Sequence, residues 1–383
     1  MTYTRNHVRS GTNRFGPPRN GYGANRRGFM PRRGPQATFN PTRLVSEMDA
    51  APKVQAQIDY VPTHTFQDLI KNPILLGNVT RKGYTVPTPI QDQSIPSIQE
   101  GKDLIGIANT GTGKTAAFLI PLIEKILANR QGYEKVLIVA PTRELATQID
   151  DEFFAFSKGL GMYSVLCIGG VKIHRQKMNL RRGYNIVIGT PGRIKDLIRE
   201  RCIDLSEFKT VVLDEADHMV DIGFLPDIKF IISYLPRVRQ SLFFSATVDG
   251  KVKEVINTFV ANPVTVSVRT ATTAENVEQR IIKVIHRDKK IEQLHDLLIQ
   301  KEFSKVLIFG KTKWGVQKLS QELIERGFRA DAIHGNKSQN QRQRTLDRFK
   351  RNEIQVLLAT DVASRGLDID SVSHVINYDL PSS

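Results

Sequence analysis

Residues 108–115 carry the clearest chemical signal of the sequence. They are Ala-Asn-Thr-Gly-Thr-Gly-Lys-Thr, between an apolar strand pattern at 103–107 and a helical pattern at 116–127. Glycines let backbone N–H groups turn towards phosphate oxygens, and a helix start adds partial positive charge. In such a loop Lys114 reaches the β- and γ-phosphates of a nucleotide, and Thr115 offers a hydroxyl to Mg²⁺. The first position of GxxxxGK[ST] is Ala108, so a glycine-rich turn before a helix stays the alternative.

Asp214 and Glu215 form an acid pair further along the chain. They follow the apolar strand pattern 210–213 and begin the run Asp-Glu-Ala-Asp. The carboxyl ends of parallel strands form the edge at which such sheets bind ligands, so the pair belongs beside the phosphate loop. There Asp214 would hold Mg²⁺ and Glu215 would polarise an attacking water. The alternative is a helix start that the two acids merely stabilise.

These patterns assign the residues of a nucleotide site. We expect catalysis to depend on Lys114, Asp214 and Glu215, and Mg²⁺ to be held by Thr115 and Asp214. The residues expected to bind the nucleotide phosphates are consecutive in the loop: Thr110, Gly111, Thr112, Gly113, Lys114 and Thr115.

Further short motifs follow these two in a fixed order. They are Pro141-Thr-Arg-Glu-Leu-Ala146, Gly169-Gly170, Thr190-Pro-Gly-Arg193 and Ser245-Ala-Thr247. Together with Asp-Glu-Ala-Asp they resemble the motifs of the DEAD-box ATP-dependent RNA helicases of superfamily 2, over about residues 66 to 383. Alanine is the usual residue of that family at position 108. The resemblance implies an α/β fold of two RecA-like parallel-sheet lobes, with ATP and Mg²⁺ in the cleft and RNA across both lobes.

An upstream element resembles the one with which this family recognises adenine. It comprises Gly83-Tyr84 and Pro87-Thr-Pro-Ile-Gln91, with Phe66 at the expected distance before it. The Gln91 amide can donate to N7 and accept from the amino group of adenine, whereas guanine would leave the amide oxygen unpaired. We expect Tyr84 to stack on the base. The alternative is that Tyr84 is a core aromatic beside a turn.

A motor that tolerates any sequence should contact mostly the nucleic-acid backbone. In lobe one the candidates lie at strand-to-helix turns, where small residues and N–H groups approach phosphates: Thr142, Arg143, Gly169, Gly170, Thr190 and Arg193. Ordinary turn chemistry is their alternative. The resemblance implies that Ser245 and Thr247 couple the nucleotide state to RNA binding.

The resemblance also assigns residues in lobe two. It implies that Thr312, Gln339, Arg342 and Thr360 face RNA or the lobe interface, and that Gly366 and Asp368 face ATP across the cleft. Members of the family continue past a segment like Asn377–Pro381 into an arginine-rich motif that reaches the γ-phosphate. This sequence stops at Ser383, and we expect a truncated chain. A non-catalytic, ATP-gated RNA clamp is therefore one alternative function, and a DNA helicase is another.

The surrounding sequence predicts the elements that would position these residues. Apolar strand patterns alternate with helical ones, which is typical of parallel sheets covered by helices. The predicted strands are 136–140, 165–168, 186–188, 211–213, 242–244, 281–285, 306–309, 356–359 and 375–377. The small polar segment 269–276 divides the series and is the predicted linker. We expect a helicase ATP-binding domain at 62–268 and an incomplete C-terminal domain at 277–383.

Charge is concentrated at the amino-terminal end. The chain of 383 residues carries 55 Lys and Arg against 39 Asp and Glu, a net charge of +16. Nine arginines and no acid lie in residues 1–43, which supply more than half of that net charge. Residues 1–60 have no apolar period, and we expect a disordered arm that binds RNA through charge and aromatic stacking. A solubilising tail is the alternative.

The remaining composition excludes several classes of protein. Cys167 and Cys202 form neither a CxxC pair nor a metal-ligand cluster. No apolar run approaches the roughly 18 residues of a membrane span, and no signal-peptide core precedes the first domain. We expect a cytoplasmic monomer that acts on RNA, alone or with ribonucleoprotein partners.

Overall fold

The computed structural model of the chain describes residues 60–129, 134–268, 278, 280–284, 286, 289–360, 369 and 371–379. Several predictions concern residues outside these ranges. They are the basic arm up to residue 59, the linker 269–276, and the ATP contacts Gly366 and Asp368.

Lobe one is built on a sheet of seven parallel strands. They are β1 (Leu104–Ile107), β2 (Lys135–Val139), β3 (Ser164–Cys167), β4 (Ile186–Gly189), β5 (Phe208–Leu213), β6 (Gln240–Ser245) and β7 (Val264–Ser267). Their spatial order is β3-β4-β2-β5-β6-β1-β7. β2, β4, β5 and β6 are Val-, Ile-, Leu- and Phe-rich because both faces of the sheet are covered by helices.

Helices connect these strands and cover the sheet. In chain order they are α1 (Phe66–Leu69), α2 (Pro73–Arg81), α3 (Pro89–Gln99), α4 (Lys114–Ala128), α5 (Arg143–Phe156), α6 (Ile173–Leu180), α7 (Pro191–Arg199), α8 (Ala216–Asp221), α9 (Leu225–Ser233) and α10 (Gly250–Phe259). Two apolar clusters form the core of lobe one, one on each face of the sheet.

Lobe two contains a smaller parallel sheet. Its strands are β8 (Val306–Phe309), β9 (Ala330–Ile333), β10 (Val356–Ala359) and β11 (His374–Asn377), in the spatial order β11-β8-β10-β9. Its helices are α11 (Lys290–Leu298), α12 (Lys313–Glu325) and α13 (Gln339–Lys350). Apolar clusters again cover both faces of the sheet.

The strand predictions are confirmed at every predicted position except one. The segment predicted as a strand at Ile281–Ile285 has no strand structure over its described residues 281–284, so that prediction is wrong there. Ile281 and Ile282 are about half exposed. An apolar alternation predicts which side chains face a core, but a strand also needs a backbone neighbour, and within the described residues this segment pairs with none. β7 and β9, which are short and partly polar, were not predicted.

The amino-terminal end of the described chain is anchored to lobe one by a single carboxylate. Asp92, buried on α3, accepts hydrogen bonds from the backbone N–H groups of Thr63 at 2.8 Å and His64 at 3.1 Å. The Tyr60 hydroxyl donates to the same carboxylate. Residue 60, predicted to end a disordered arm, is therefore attached to the lobe.

None of the helices in the described ranges combines the length and the apolar character that a bilayer crossing requires.

Gly189 tests the packing of the lobe-one sheet. A Cβ built there would lie 2.4 Å from the backbone oxygen of Cys167 on the neighbouring strand, so Gly189→Ala must push β4 from β3. We expect a loss of about 1–3 kcal/mol in the free energy of unfolding, measured by urea denaturation. Gly250→Ala is the matched control, because a Cβ at Gly250 meets nothing within 4 Å. Equal midpoints for the two variants would contradict the packing described here.

Candidate nucleotide and nucleic-acid sites

The phosphate loop joins β1 to α4. Gly113 caps the helix with a left-handed backbone at φ 91°, which a side chain would strain. The helix begins at Lys114, two residues earlier than its apolar pattern predicted, and so places the lysine on the first turn. Lys114 is buried, and its Nζ donates to the backbone oxygen of Ala108 at 3.0 Å. The Thr112 hydroxyl donates to Asn109 O at 2.7 Å, which closes the loop on itself.

Gln91 supports this loop from α3. Its amide nitrogen donates to Gly113 O at 3.1 Å, and its amide oxygen accepts from the Thr88 N–H at 2.9 Å. The Thr88 hydroxyl donates to Thr112 O at 2.8 Å. A Cβ at Gly113 would lie 2.3 Å from the Gln91 amide nitrogen, so glycine is required there by contact as well as by φ. The structure thus brings the predicted adenine-recognising residue against the phosphate loop.

Tyr84 and Phe66 lie together on the same side of lobe one. Their rings meet edge to face with centroids 6.2 Å apart, and Tyr84 meets Phe156 in the same way at 5.6 Å. The Tyr84 hydroxyl donates to Glu152 Oε1 at 2.8 Å. Tyr84 thus packs against the core of lobe one, and its stacking on a base stays a prediction.

The acid pair lies at the carboxyl end of β5, and the phosphate loop follows β1. Only β6 separates these two strands in the sheet. Asp214 is 1% exposed, and burial raises its pKa to about 6 even though the positive charge of Lys114 opposes that shift. The Lys114 ammonium is therefore close enough to act on the carboxylate. The sheet brings together the two halves of the predicted nucleotide site.

Glu215 occupies a left-handed backbone conformation with φ 49°. Non-glycine residues adopt that conformation at a cost of about 1–3 kcal/mol, and they do so most often at functional sites. Its Oε2 lies 3.3 Å from Nδ1 of His218, one turn along α8. The Glu215 N–H donates to Asp214 Oδ1 at 3.0 Å, so the two acids are linked at this turn.

Asp217, the last residue of Asp-Glu-Ala-Asp, links the acid pair to the Ser-Ala-Thr motif. Its Oδ2 accepts from the Thr247 N–H at 2.9 Å and from the Thr247 hydroxyl at 3.0 Å. The Ser245 hydroxyl accepts from Asp217 N–H at 3.3 Å and donates to Thr247 O at 2.7 Å. The sequence assigned Ser245 and Thr247 to coupling but gave Asp217 no role. Its place in the same four-residue run was the available signal.

Arginines from three elements converge where lobe one meets lobe two. Arg143 begins α5, Arg193 lies on α7, and Arg342 lies on α13. Burial, followed by the nearby charge of Arg342, lowers the pKa of Arg143, and Arg193 acts on it in the same direction. Arg143 also covers both predicted glycines, because a Cβ at Gly169 or Gly170 would lie within 2.8 or 2.3 Å of its guanidinium. Five of the ten residues predicted to bind RNA, from both lobes, thus lie close together: Arg143, Gly169, Gly170, Arg193 and Arg342.

Glu144 is the acid in this cluster. It is 3% exposed, and its Oε1 accepts from Gln339 Nε2 at 3.0 Å and lies 3.0 Å from Arg342 Nη2. Both partners belong to lobe two, so Glu144 holds the lobes together. The sequence assigned neighbouring Thr142 and Arg143 to RNA but missed Glu144, since a glutamate early in a helix is also ordinary helix stabilisation.

The four threonines predicted to bind RNA lie at the boundaries of helices or strands. Thr142 caps α5 by accepting from Leu145 N–H at 3.2 Å, and Thr312 caps α12 by accepting from Gly315 N–H at 2.9 Å. Thr190 precedes α7, and Thr360 follows β10; both are buried. Thr190 and Thr360 directly follow a strand, and Thr142 and Thr312 lie three residues after one, at the edge predicted to meet nucleic acid.

Two parallel sheets, a phosphate loop and an acid pair at the carboxyl ends of the strands define a P-loop nucleoside triphosphatase with two RecA-like lobes. The family model described as DEAD/DEAH box helicase matches residues 88–255, and the model described as helicase conserved C-terminal domain matches residues 289–383. This chain belongs to the DEAD-box helicase family.

Curated relatives are DEAD-box proteins of bacteria. The chain is 43% identical over 317 residues to the DEAD-box ATP-dependent RNA helicase CshA of Streptococcus pneumoniae, covering 82% of this chain and 60% of that protein. It is 42% identical over 320 residues to CshA of Bacillus subtilis, covering 83% of this chain and 64% of that protein. The chain thus spans about three fifths of the length of these relatives.

Solved structures share the fold. S. cerevisiae Dbp5 bound to RNA and ADP BeF3 superposes with a TM-score of 0.74 at 29% identity, covering 83% of this chain and 81% of that one. A DEAD box protein from the hyperthermophile Methanococcus jannaschii gives a TM-score of 0.52 at 35% identity, covering 84% and 86% of the two chains.

Glu144 should control how the lobes sit together. Glu144→Ala leaves Arg342 and Arg143 without their shared carboxylate, and unpaired buried charges cost about 3–5 kcal/mol. We expect the lobes to separate and the radius of gyration of the free protein to rise in small-angle X-ray scattering.

Thr147→Ala is the matched control on the same helix, because the Thr147 hydroxyl bonds back to Arg143 O within α5. Circular dichroism of both variants would establish that α5 still folds. A Glu144→Ala protein that scatters like the control would remove Glu144 from the role of interlobe contact.

Proposed function

We propose that this chain is the motor of an ATP-dependent RNA helicase that binds RNA across both lobes, locally opens short duplexes and uses ATP hydrolysis to release them. One observation carries the proposal. The buried Lys114 of the phosphate loop follows β1, and the buried Asp214 follows β5, at the same edge of the lobe-one sheet. The printed names of the bacterial relatives and the RNA and ADP BeF3 bound to Dbp5 support the same function.

ATP is the proposed substrate of the phosphate loop. The Lys114 ammonium donates a hydrogen bond to the backbone oxygen of Ala108. A phosphate oxygen is charged and is therefore a stronger acceptor for the same ammonium. The N–H groups at the start of α4 face the same place, where the helix adds partial positive charge. Gln91 and Phe66 are proposed to hold the adenine side, and Gly366 and Asp368 to approach ATP from lobe two.

The residues present fit a magnesium ion. Burial disfavours the charged form of Asp214, and a nearby cation would compensate that cost. No cluster of three or more His, Cys, Asp or Glu side chains able to hold a metal occurs in the described ranges. Mg²⁺ usually takes only one or two protein ligands besides phosphates and waters, so Asp214 and Thr115 suffice. The ion would neutralise charge on the phosphates, while Glu215 orients and polarises the attacking water.

RNA is the proposed ligand of the arginine cluster. Arg342 pairs with Glu144 at 3.0 Å, and the charges of Arg342 and Arg193 both act on Arg143. The Nε atoms of Arg193 and Arg342 and the Oε1 of Gln339 are buried and have no hydrogen-bond partner. A backbone phosphate would satisfy the two guanidinium donors, and a ribose hydroxyl would donate to the Gln339 oxygen. The cluster therefore suits an RNA strand that bridges the lobes.

Coupling between the two ligands follows from their shared lobe arrangement. RNA contacts in both lobes stabilise the arrangement in which Glu144 meets Gln339 and Arg342, and ATP between the lobes stabilises it as well. Asp217 connects the nucleotide edge to Ser245, Ala246 and Thr247 through four hydrogen bonds. We infer that loss of the γ-phosphate relaxes this connection and lets RNA go.

Lys114→Ala tests the phosphate loop. The variant loses the charge that pairs the phosphates, and we expect ATP affinity to fall by about 3 kcal/mol, or more than 100-fold, in a calorimetric titration. Lys102→Ala is the matched control, an exposed lysine before β1 that pairs with Glu100 at 2.5 Å. ATP affinity unchanged in Lys114→Ala would exclude the proposed loop function.

Glu215→Gln separates binding from turnover. The amide keeps the shape of the side chain but polarises water poorly, so we expect RNA-stimulated ATP hydrolysis to fall about 100-fold or more while ATP-dependent RNA binding persists. Glu207→Gln, an exposed acid of lobe one that pairs with Lys135, should leave both quantities unchanged. If the wild-type protein binds ATP and RNA but hydrolyses no ATP, the function is that of a non-catalytic clamp.

A further inference from the structure

Trp314 is the only tryptophan of the chain, and its side chain is exposed to solvent. It is the second residue of α12 and is 80% exposed, more than any other described aromatic side chain among the exposed apolar residues of the chain. Tryptophan buries a large apolar area when it finds a partner, and an isolated ring on a surface forgoes that stabilisation. The exposed ring is therefore available to an external ligand.

The surroundings of Trp314 are cationic. Lys311, Lys313 and Lys318 are all exposed. The acids beside them are Glu322, which lies 3.6 Å from Lys318, and Asp379, which accepts from the Lys311 N–H at 3.1 Å, so three lysines face two carboxylates. Lys318 follows Trp314 by one helical turn, so the two side chains share a face of α12. A protein partner that binds through apolar side chains would need apolar residues around the Trp314 ring, but the residues beside it are lysines. The positive charge of these lysines instead suits a polyanion that also has a flat apolar surface.

The structure places this ring at the rim of the proposed RNA site of lobe two. Lys313 Nζ lies 3.4 Å from the Asn336 side-chain oxygen and extends over Gly335. Burial, followed by the cations Lys337, Lys313 and Arg342, lowers the pKa of His334. The first turn of α12 and the first turn of α13, which carries Gln339 and Arg342, thus meet at the same loop.

We propose that Trp314 is a stacking platform for an unpaired base of the RNA strand, with the flanking lysines on the phosphates. This inference rests on the proposed RNA binding. It adds a contact to a base, whereas Gln339 and Arg342 are proposed to contact the sugar-phosphate backbone of the RNA. Every base has a flat aromatic face, so such a platform raises affinity without selecting a sequence. A base stacked on Trp314 is also withdrawn from base–base stacking in a duplex, which favours the opened strand.

A single tryptophan makes the test direct, because all tryptophan emission comes from this ring. We expect emission of the whole chain to be quenched on titration with a single-stranded oligoribonucleotide, in the presence of a non-hydrolysable ATP analogue. The same oligonucleotide with abasic sites retains its phosphates, and we expect it to quench much less.

Substitutions supply a second readout. We expect Trp314→Ala to weaken RNA binding about 5-fold or more, with the slope of affinity against salt unchanged because no charge is removed. Trp314→Phe should retain most of the affinity. Phe154→Ala is the matched control, an aromatic residue that is 72% exposed but follows the acids Asp150, Asp151 and Glu152, and it should bind like wild type.

The outcomes distinguish this inference from the function on which it rests. A wild-type protein that binds no RNA overturns the proposed function. A wild-type protein that binds RNA with unchanged tryptophan emission, or a Trp314→Ala variant that binds RNA as tightly as wild type, overturns the platform alone and leaves the ring to a protein partner.

Discussion

Parallel strand pairing is the constraint on which the nucleotide site depends. In lobe one it aligns the carboxyl ends of β1, β6 and β5, so that the phosphate loop after β1 faces the acid pair after β5. A buried carboxylate is unfavourable by itself, and at Asp214 burial outweighs the opposing charge of Lys114. Under the proposed function, a nucleotide phosphate and its cation would offset the unfavourable burial of this carboxylate.

The contact between the lobes also contains buried charged groups, but here they are mainly positive arginines. Arg342 pairs with Glu144, the charges of Arg342 and Arg193 act on Arg143, and the buried Nε atoms of Arg193 and Arg342 have no hydrogen-bond partner. Under the proposed function a polyanion would supply the missing acceptors. Because Glu144 reaches Gln339 and Arg342 of lobe two, the same residues that would bind RNA also set the lobe arrangement. The proposed binding of RNA would therefore be coupled energetically to closure of the lobes.

Hydrogen bonds away from the reacting groups set the shape of both sites. Gln91 and Thr88 hold the phosphate loop through Gly113 and Thr112, and Asp217 holds the Ser-Ala-Thr motif against the acid pair. These hydrogen bonds join motifs by which the chain resembles the DEAD-box family. Trp314 stands apart from them, since it is an exposed ring among lysines that no packing or capping requirement explains.

The sequence by itself determined the chemistry that is local in the chain. The spacing of glycines, Lys114 and Thr115 predicted the phosphate loop, and apolar runs predicted most strands, because period and turn residues act over a few positions. It did not predict that Glu144 would contact Gln339, that Asp217 would hold Thr247, or that 281–284 would lack a strand partner. Each of these depends on neighbours distant in the chain. The contacts of Tyr84 with Phe66 and Phe156 likewise come from the tertiary structure. Local pattern fixes which groups are available, and the tertiary structure alone decides which of them meet.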